Sequence, residues 1–428
     1  MNNKIKLLLA GSVAVIAILG IVWQYGPCTF PPIPSTPPPA PNAYNYFGKV
    51  AIGLKRDEAK VKLPATIIPD DYDTYPPALQ FAVLRAVAPD LQTMRTGLTF
   101  SYGYPQDRAN PQMAFYPAYR EMVRLLRLQG KVDAKQGDWN GAANSYLDCV
   151  TIGILVPHGS PAIGGELGSA CESIGRKKLW AVIPHLSYSQ LQSAKLRLLR
   201  IEAQREPYLD GQVEQKYSEQ ALLQSYFKSN DWAKELAYSG VDYVDGPKRP
   251  SDSDLQTLKW RLDIEGKRAV YNQFTNYQNA VIEAARQPYD PHARVKDVPL
   301  DPVTAFYYPR VGIDPYSANQ FYRVWIIDSQ TQNEFLIVTL AIRQYWLRNH
   351  FYPKSLAELM PEYLPSIASD PFALSGPLRY SRVGNSYNLY SVGPDGIDNH
   401  GSAIAIGASG DDYLRDSSKG DIVAGVNP

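Results

Sequence analysis

Cysteine and histidine are scarce in this sequence. Its 428 residues include three cysteines and five histidines, and no Cys-x-x-Cys or His-Glu-x-x-His spacing occurs, which argues against the zinc and redox sites built on those motifs. A phosphate-binding loop and a Gly-x-Ser-x-Gly turn are also missing. The sequence therefore carries no standard catalytic motif, and we expect a protein that is not an enzyme.

Net charge is nearly absent as well. The chain has 43 basic and 42 acidic residues, and no basic stripe with interleaved aromatic residues is present. A chain of this kind has no field that would attract a polyanion. We therefore expect no nucleic acid among its partners.

The N-terminal segment is apolar and is preceded by positive charge. Lys4 and Lys6 come before an uncharged run from Leu7 to Trp23, and the next basic residue is Lys49. By the positive-inside rule this pattern predicts a transmembrane anchor within residues 1–26, with a cytoplasmic N-terminus and a body in the periplasm or on the cell surface. A cleaved signal peptide is the alternative, but the end of the run lacks the small-x-small pattern of a cleavage site.

A proline-rich linker follows at residues 27–43. Eight prolines lie between Pro27 and Pro41 without a charged residue. Such a segment favours the polyproline II conformation, in which it would span roughly 45 Å. We expect a spacer that holds the body away from the membrane.

Residues 44–314 predict a helical domain. Apolar periodicity and turn-rich breaks indicate helices at 112–135, 140–156, 165–183, 189–206, 213–227 and 254–286. The prolines of 287–314 predict a non-helical boundary after this domain. Gly137-Asp138-Trp139 with Ala142 and Tyr146 resembles one helix pair of a tetratricopeptide repeat, but no second copy follows, so we expect an irregular bundle or array.

Two features of this domain leave alternatives open. Cys149 and Cys171 fall on successive predicted helices, where they could form a disulfide or be buried thiols. His158, Ser160 and Glu166 could be a nucleophile with its base, which would make the protein an extracytoplasmic hydrolase. The same residues are also ordinary material for a loop and a helix start.

The most informative pattern lies in the last hundred residues. A helix at 317–349 carries an apolar stripe of Phe335, Val338, Ile342 and Trp346, which we expect to pack on a small antiparallel sheet. A loop at 390–399, rich in Gly and Asp, is followed much later by Gly420-Asp421. Because hard cations prefer carboxylate and carbonyl oxygens, and turns of this type can point such oxygens inward, the loop suggests a calcium site.

The order of these motifs resembles the globular domain of the major pseudopilin of type II secretion systems. The matching steps are a helix ending at Tyr352-Pro353, a short helix at 355–359, Asp370-Pro371, strands near 378–380 and 387–390, and the Asp395 loop. The resemblance implies an α+β module at 315–428 with a structural Ca²⁺. Its implied ligands are the carboxylates of Asp395 and Asp421 and the carbonyls of Val392 and Ile397, with Asp398 as an additional candidate. An ordinary hairpin connection is the simpler alternative.

The chain also departs from that family. No Glu occurs within Leu7 to Trp23, about 300 residues separate this run from the later helix, and an insertion at 400–419 lengthens the loop. These differences argue against assembly into a filament by the usual route. The sequence as a whole predicts a mainly α protein with an N-terminal transmembrane helix, a helical body and a C-terminal α+β module. Its predicted role is that of a membrane-anchored structural or interaction protein with a protein partner in the cell envelope.

Overall fold

The computed structural model describes residues 29–58, 72–105, 116–239, 250–291, 300–310, 315–405 and 414–426. The fold is mainly helical, with one small antiparallel sheet near the C-terminus. The helices are α1 (Ala43–Glu58), α2 (Pro77–Gly97), α3 (Tyr116–Lys135), α4 (Trp139–Leu155), α5 (Ala162–Val182), α6 (Tyr188–Glu202), α7 (Tyr208–Tyr226), α8 (Trp232–Tyr238), α9 (Asp252–Ala285), α10 (Pro302–Arg310) and α11 (Pro315–Asn349). The strands are β1 (Arg379–Val383), β2 (Ser386–Ser391) and β3 (Ile422–Val423).

The predicted transmembrane helix requires a correction. In the part of the chain that the structure describes, no helix has the length and apolar character needed to cross a membrane. The run from Leu7 to Trp23 lies outside the described residues. The fold class with an N-terminal transmembrane helix, and the single-pass location that depended on it, are therefore unsupported and are withdrawn.

Local signals explain where several helices begin. α4 starts at Trp139 because Gly137 turns the chain with φ of 82° and the Asp138 carboxylate accepts a hydrogen bond from the amide of Gly141 at 2.8 Å. α6 starts with a capping box between Ser187 and Gln190. These caps satisfy amide groups that the first helical turn leaves without partners.

The segment 287–314 is not uniformly non-helical, because it contains α10. Pro302 is the first residue of this helix, where a missing amide hydrogen carries no penalty. The carboxylate of Asp301 accepts hydrogen bonds from the amides of Val303 and Thr304, each at 2.9 Å. The prolines here start a helix as well as interrupt one.

Three apolar cores hold the helices together. The first lies among α1, α2 and α3 and reaches one side of α4 and α5. The second joins α4, α5 and α6 to α11 and to the sheet. The third lies among α7 to α10.

The proline-rich segment lies on the helical body instead of standing away from it. Phe30 packs on Phe227 and Tyr271, with ring centroids 5.2 and 4.7 Å apart, and so joins the third core. Near its other end, Asn42 exchanges hydrogen bonds with the main chain of Gly103 at 2.8 and 3.1 Å. The described part of the predicted spacer is thus docked.

Helix α11 connects the helical body to the sheet. Phe335, Val338 and Ile342 are buried, and Trp346 is half-buried. We predicted that this stripe packs on the sheet. Helix α11 instead lies mainly against α5 and α6 and makes a smaller contact with β2, so the second core runs from residue 142 to residue 422 without a break at 315.

The sheet has the order β1-β2-β3, with both pairs antiparallel. A two-residue turn, Gly384-Asn385, joins β1 to β2, as is usual in tight hairpins. In the second pair, Ser391 lies opposite Ile422 and Tyr390 lies opposite Val423. The two predicted strands are confirmed, and the pairing of β2 with β3 brings residues after 391 close to Asp421.

Candidate functional site

The Asp395 loop leaves the end of β2 and lies beside the start of β3. Gly393, Gly396 and Gly420 have φ angles of 72°, 67° and 110°, values that favour glycine. The amide of Gly396 donates to the carbonyl of Gly393 at 3.0 Å, which closes a tight turn around Asp395. The glycine pattern that drew attention to this loop is therefore required by its backbone.

A buried carboxylate anchors the start of the loop. Asp370 accepts a hydrogen bond from the hydroxyl of Ser391 at 2.6 Å and from the amide of Val392 at 3.0 Å. The Ser391 hydroxyl in turn accepts one from the amide of Gly393 at 3.2 Å. Asp370 is thus a positioning residue for the loop, a role that its place before Pro371 only partly signals.

The predicted ligands Asp395 and Asp421 lie close together. The Asp395 carboxylate accepts hydrogen bonds from the amides of Ile397 at 3.1 Å and of Gly420, the neighbour of Asp421, at 3.3 Å. The Asp421 carboxylate accepts from the amides of Asn399 at 3.1 Å and Gly401 at 2.6 Å. Both carboxylates are therefore held in place by the loop backbone.

Burial raises the pKa of Asp421, whose side chain is fully enclosed. The hydrogen bonds from Asn399 and Gly401 oppose this shift, whereas the charges of Asp398 and Asp395 add to it. Like charges close to a buried carboxylate make its ionised form unfavourable. A cation at this position would reverse that effect.

Asp398 is engaged elsewhere. One carboxylate oxygen accepts a hydrogen bond from the Tyr390 hydroxyl at 3.1 Å, and the other accepts from Nε of Arg379 at 3.4 Å. Its pKa is lowered, chiefly by the hydrogen bond from the amide of His400. Asp398 differs from Asp395 and Asp421 in that its oxygens also bind side chains, whereas among the described residues theirs accept only from loop amides.

The donor set fits a small oxygen site. Among the described residues, no group of three or more His, Cys, Asp or Glu side chains is arranged to hold a metal ion. Two carboxylates and main-chain carbonyls are the available ligands, and hard cations accept such sets. Within the same described ranges, the carbonyls of Val392 and Ile397 accept no hydrogen bond. The acidic residues Asp411 and Asp412 lie outside the described residues.

The loop also contacts the end of the helical body. The hydroxyl of Tyr289, which follows α9, donates to the carbonyl of Pro394 at 2.8 Å. A Cβ atom on Gly396 would lie 2.6 Å from the ring of Pro291. Order in the loop is thereby linked to the segment that follows α9.

The residues of the hydrolase alternative do not form a catalytic pair. The Ser160 hydroxyl donates to the carbonyl of Val156 at 3.1 Å, and Nδ1 of His158 lies 3.0 Å from the carbonyl of Leu155. Ser160 is buried, whereas Glu166 is exposed. The hydrogen bonds of Ser160 and His158 are those of a helix end and a turn.

An ionic cluster in the interior escaped the sequence analysis. Glu172 accepts hydrogen bonds from Arg176 at 3.1 Å and from Arg205 at 2.7 Å, and Asn333 of α11 donates to it at 2.8 Å. Arg205 also binds Glu202. Charged residues on helices usually lie in solvent, so the sequence alone offered no reason to place these together.

The chain was compared with family models, with curated proteins and with solved structures, and none of the three comparisons found a match.

Proposed function

We propose that this chain is a non-catalytic interaction protein whose C-terminal loop binds a structural calcium ion. The observation that carries the proposal is that the carboxylates of Asp395 and Asp421 accept hydrogen bonds from amides of one loop. In the same loop, the carbonyls of Val392 and Ile397 accept no hydrogen bond from the described residues. Carboxylates and carbonyls on a glycine-rich turn are the ligands that calcium prefers.

The residues of the loop would supply two kinds of ligand. Asp395 and Asp421 would supply charge, and Val392 and Ile397 would supply neutral oxygens. Asp370 and Ser391 fix the start of the turn by hydrogen bonds. When bound, the ion supplies positive charge that offsets the burial and the like charges of Asp398 and Asp395, which together raise the pKa of Asp421.

The same region supports the resemblance to a pseudopilin module. A long helix, an Asp-Pro step, a small antiparallel sheet and an Asp-Gly loop follow one another in the expected order. We therefore propose that residues 315–428 serve in recognition of, or assembly with, a protein partner. The hydrolase alternative gains no support, because Ser160 and His158 each bond to a main-chain carbonyl.

Thermal unfolding of the full chain tests the metal site. Binding to the folded state alone stabilises it by about 2.7 kcal/mol at a concentration one hundred times Kd. We expect millimolar calcium to raise the Tm of the full chain and chelator to reverse the shift. Asp395→Asn should abolish the shift because it removes one of the two ligand charges.

The matched control is Asp263→Asn, which makes the same chemical change at an exposed position on α9. It should keep the full calcium shift. Identical unfolding curves with calcium and with chelator would overturn the metal site and leave an ordinary strand connection.

A further inference from the structure

A groove lined by aromatic residues separates the helical body from the sheet. Its walls come from the end of α5, the middle of α11, strand β2 and Tyr352. The groove encloses about 250 Å³, more than the roughly 150 Å³ cavity that accepts benzene. One aromatic ring with a substituent therefore fits. The residues that matter here are Trp180, Ile183, Thr339, Arg343, Tyr352 and Tyr387.

The walls suit an apolar ligand. The rings of Tyr352 and Tyr387 meet edge to face with centroids 5.0 Å apart, and Trp180 and Ile183 line the groove with them. The hydroxyl of Tyr387 donates to Thr339 at 3.5 Å. Pockets of this kind, mostly apolar with a few placed polar groups, are the usual form of ligand sites.

One cation lies in this groove. The guanidinium of Arg343 stacks over Trp346 at 4.3 Å from the ring centroid and donates to the carbonyl of Pro184 at 3.2 Å. Its Nε atom is buried and has no hydrogen-bond partner. Across the described ranges, Arg343 also forms no ion pair.

The Nε atom is out of reach of solvent and hence of a ligand, whereas the Arg343 side chain as a whole is only partly buried, lines the groove and forms an exposed hydrogen bond through Nη2. Arginine pairs best with a planar carboxylate, because two parallel N–H groups match its two oxygens. A single positive charge also matches a monoanion better than a dianion. A carboxylate is therefore the anion that a groove-lining arginine without an ion pair among the described residues would bind best.

We propose that the aromatic groove binds a carboxylate attached to an aromatic or branched apolar group. The carboxylate pairs with Arg343, and the apolar group lies among Trp180, Tyr352 and Tyr387. Two sources share this chemistry: a free aromatic acid, and the C-terminal residue of a peptide. The proposal does not depend on calcium binding.

Titration calorimetry on the full chain tests this with N-acetylphenylalanine and N-acetylphenylalanine amide. The two compounds differ only in the negative charge. Because a hydrogen bond to a charged group contributes about 1.5–3 kcal/mol, we expect the acid to bind at least about tenfold more tightly than the amide. Equal binding of the two compounds would overturn the proposal. Absence of binding by the acid at 10 mM would also overturn it, because a Kd above that concentration means a binding free energy weaker than about 2.7 kcal/mol.

Variants place the ligand in the groove. Arg343→Gln should weaken binding of the acid by about tenfold or more while leaving the weak binding of the amide unchanged. Arg348→Gln is the matched control, since Arg348 lies on the same helix but is exposed and pairs with Glu362; it should bind as the unmodified protein does. If Arg343→Gln does not fold, the comparison of acid with amide on the unmodified protein decides.

Phenylacetate and a pentapeptide ending in phenylalanine distinguish the sources. Tighter binding of the peptide assigns the groove to polypeptide C-termini, and tighter binding of phenylacetate assigns it to free acids. Either result agrees with the proposal if it depends on Arg343. Binding of either compound that is unaffected by Arg343→Gln contradicts it.

Discussion

Arg205 binds Glu172 in the interior, with Nη2 of the arginine 2.7 Å from Oε2 of the glutamate. Glu172 lies on α5, and Arg205 follows the end of α6, so the pair connects α5 to the segment after α6 through charge. Asn333 of α11 donates to the same oxygen at 2.8 Å. Three elements that are distant in sequence therefore meet on one carboxylate.

Loss of the Glu172 charge should destabilise the fold strongly. Glu172→Gln keeps the shape but leaves Arg176 and Arg205 with a reduced set of acceptors. Removal of one partner from a buried pair costs about 3–5 kcal/mol, and urea unfolding followed by circular dichroism would measure it. Asp263→Asn breaks the exposed pair with Lys259 and should cost less than about 1 kcal/mol. Equal losses would show that the interior cluster contributes no more than a surface pair.

Stability should depend on pH through Glu206. Burial raises the pKa of this carboxyl to about 8, against the opposing hydrogen bond from Gly159. The unfolded chain releases the proton near pH 4.3, so the folded state binds more protons between pH 4.3 and pH 8. The contribution of Glu206 is therefore fully present below pH 4.3 and is lost as the pH rises through about 8.

Glu206→Gln tests that direction. A glutamine retains an oxygen for the amide of Gly159 but has no charge to desolvate. The variant should match the unmodified protein near pH 4 and be more stable at pH 9, as measured by urea unfolding at both values. A variant that is less stable at pH 9 would mean that Glu206 is stabilised as an anion.

Because α4 packs closely on α5, substitution of Gly168 should lower the free energy of unfolding. A Cβ atom on Gly168 would lie 2.4 Å from the carbonyl oxygen of Gly153. Gly168→Ala should therefore cost about 1–3 kcal/mol, as overpacking does. Gly211 of α7 is the control, because its nearest atom beyond its neighbours is the Tyr322 hydroxyl at 3.8 Å. Gly211→Ala should be neutral or stabilising by up to about 1 kcal/mol, and similar losses at both sites would contradict the packing argument.

Cys149 and Cys171 should be inert thiols. Both are free and buried, so the disulfide that the sequence left open is not formed. Burial raises the pKa of both thiols, that of Cys171 to about 12. In a Cys28→Ser background we expect no reaction with a thiol reagent in the native state and two equivalents after unfolding. Rapid labelling of the native protein would contradict this.

Periodicity along the chain predicted the helices from α3 to α7, as well as α9 and α11, to within a few residues. These helices carry apolar stripes and end at clear stop signals, such as Pro157 and the Tyr352-Pro353 step. The sequence predicted helical structure for 44–314 as a whole but gave no bounds for α1, α2 or α8. The sequence also predicted that the proline-rich segment stands away from the body. It could not show contacts such as Phe30 on Phe227, because these join residues almost 200 positions apart.

The candidate site was predictable in part for a physical reason. Gly393 and Gly396 mark a backbone that needs left-handed conformations, and this requirement is visible in sequence. The role of Asp370 and the contact of Tyr289 with Pro394 depend on tertiary packing, which local patterns do not encode. Arg343 was missed because an arginine on a helix looks like any solvated charge.

The second core joins the residues around the Asp395 loop to helix α6. Phe372 and Leu389, which flank the anchors of that loop, share this core with Leu191 and Leu198 of α6. Segments that share one core tend to open together as a single cooperative unit. Amide hydrogen exchange in α6 would then report on events at the loop, and a ligand that orders the Asp395 turn would slow the opening of a helix about two hundred residues earlier in the chain.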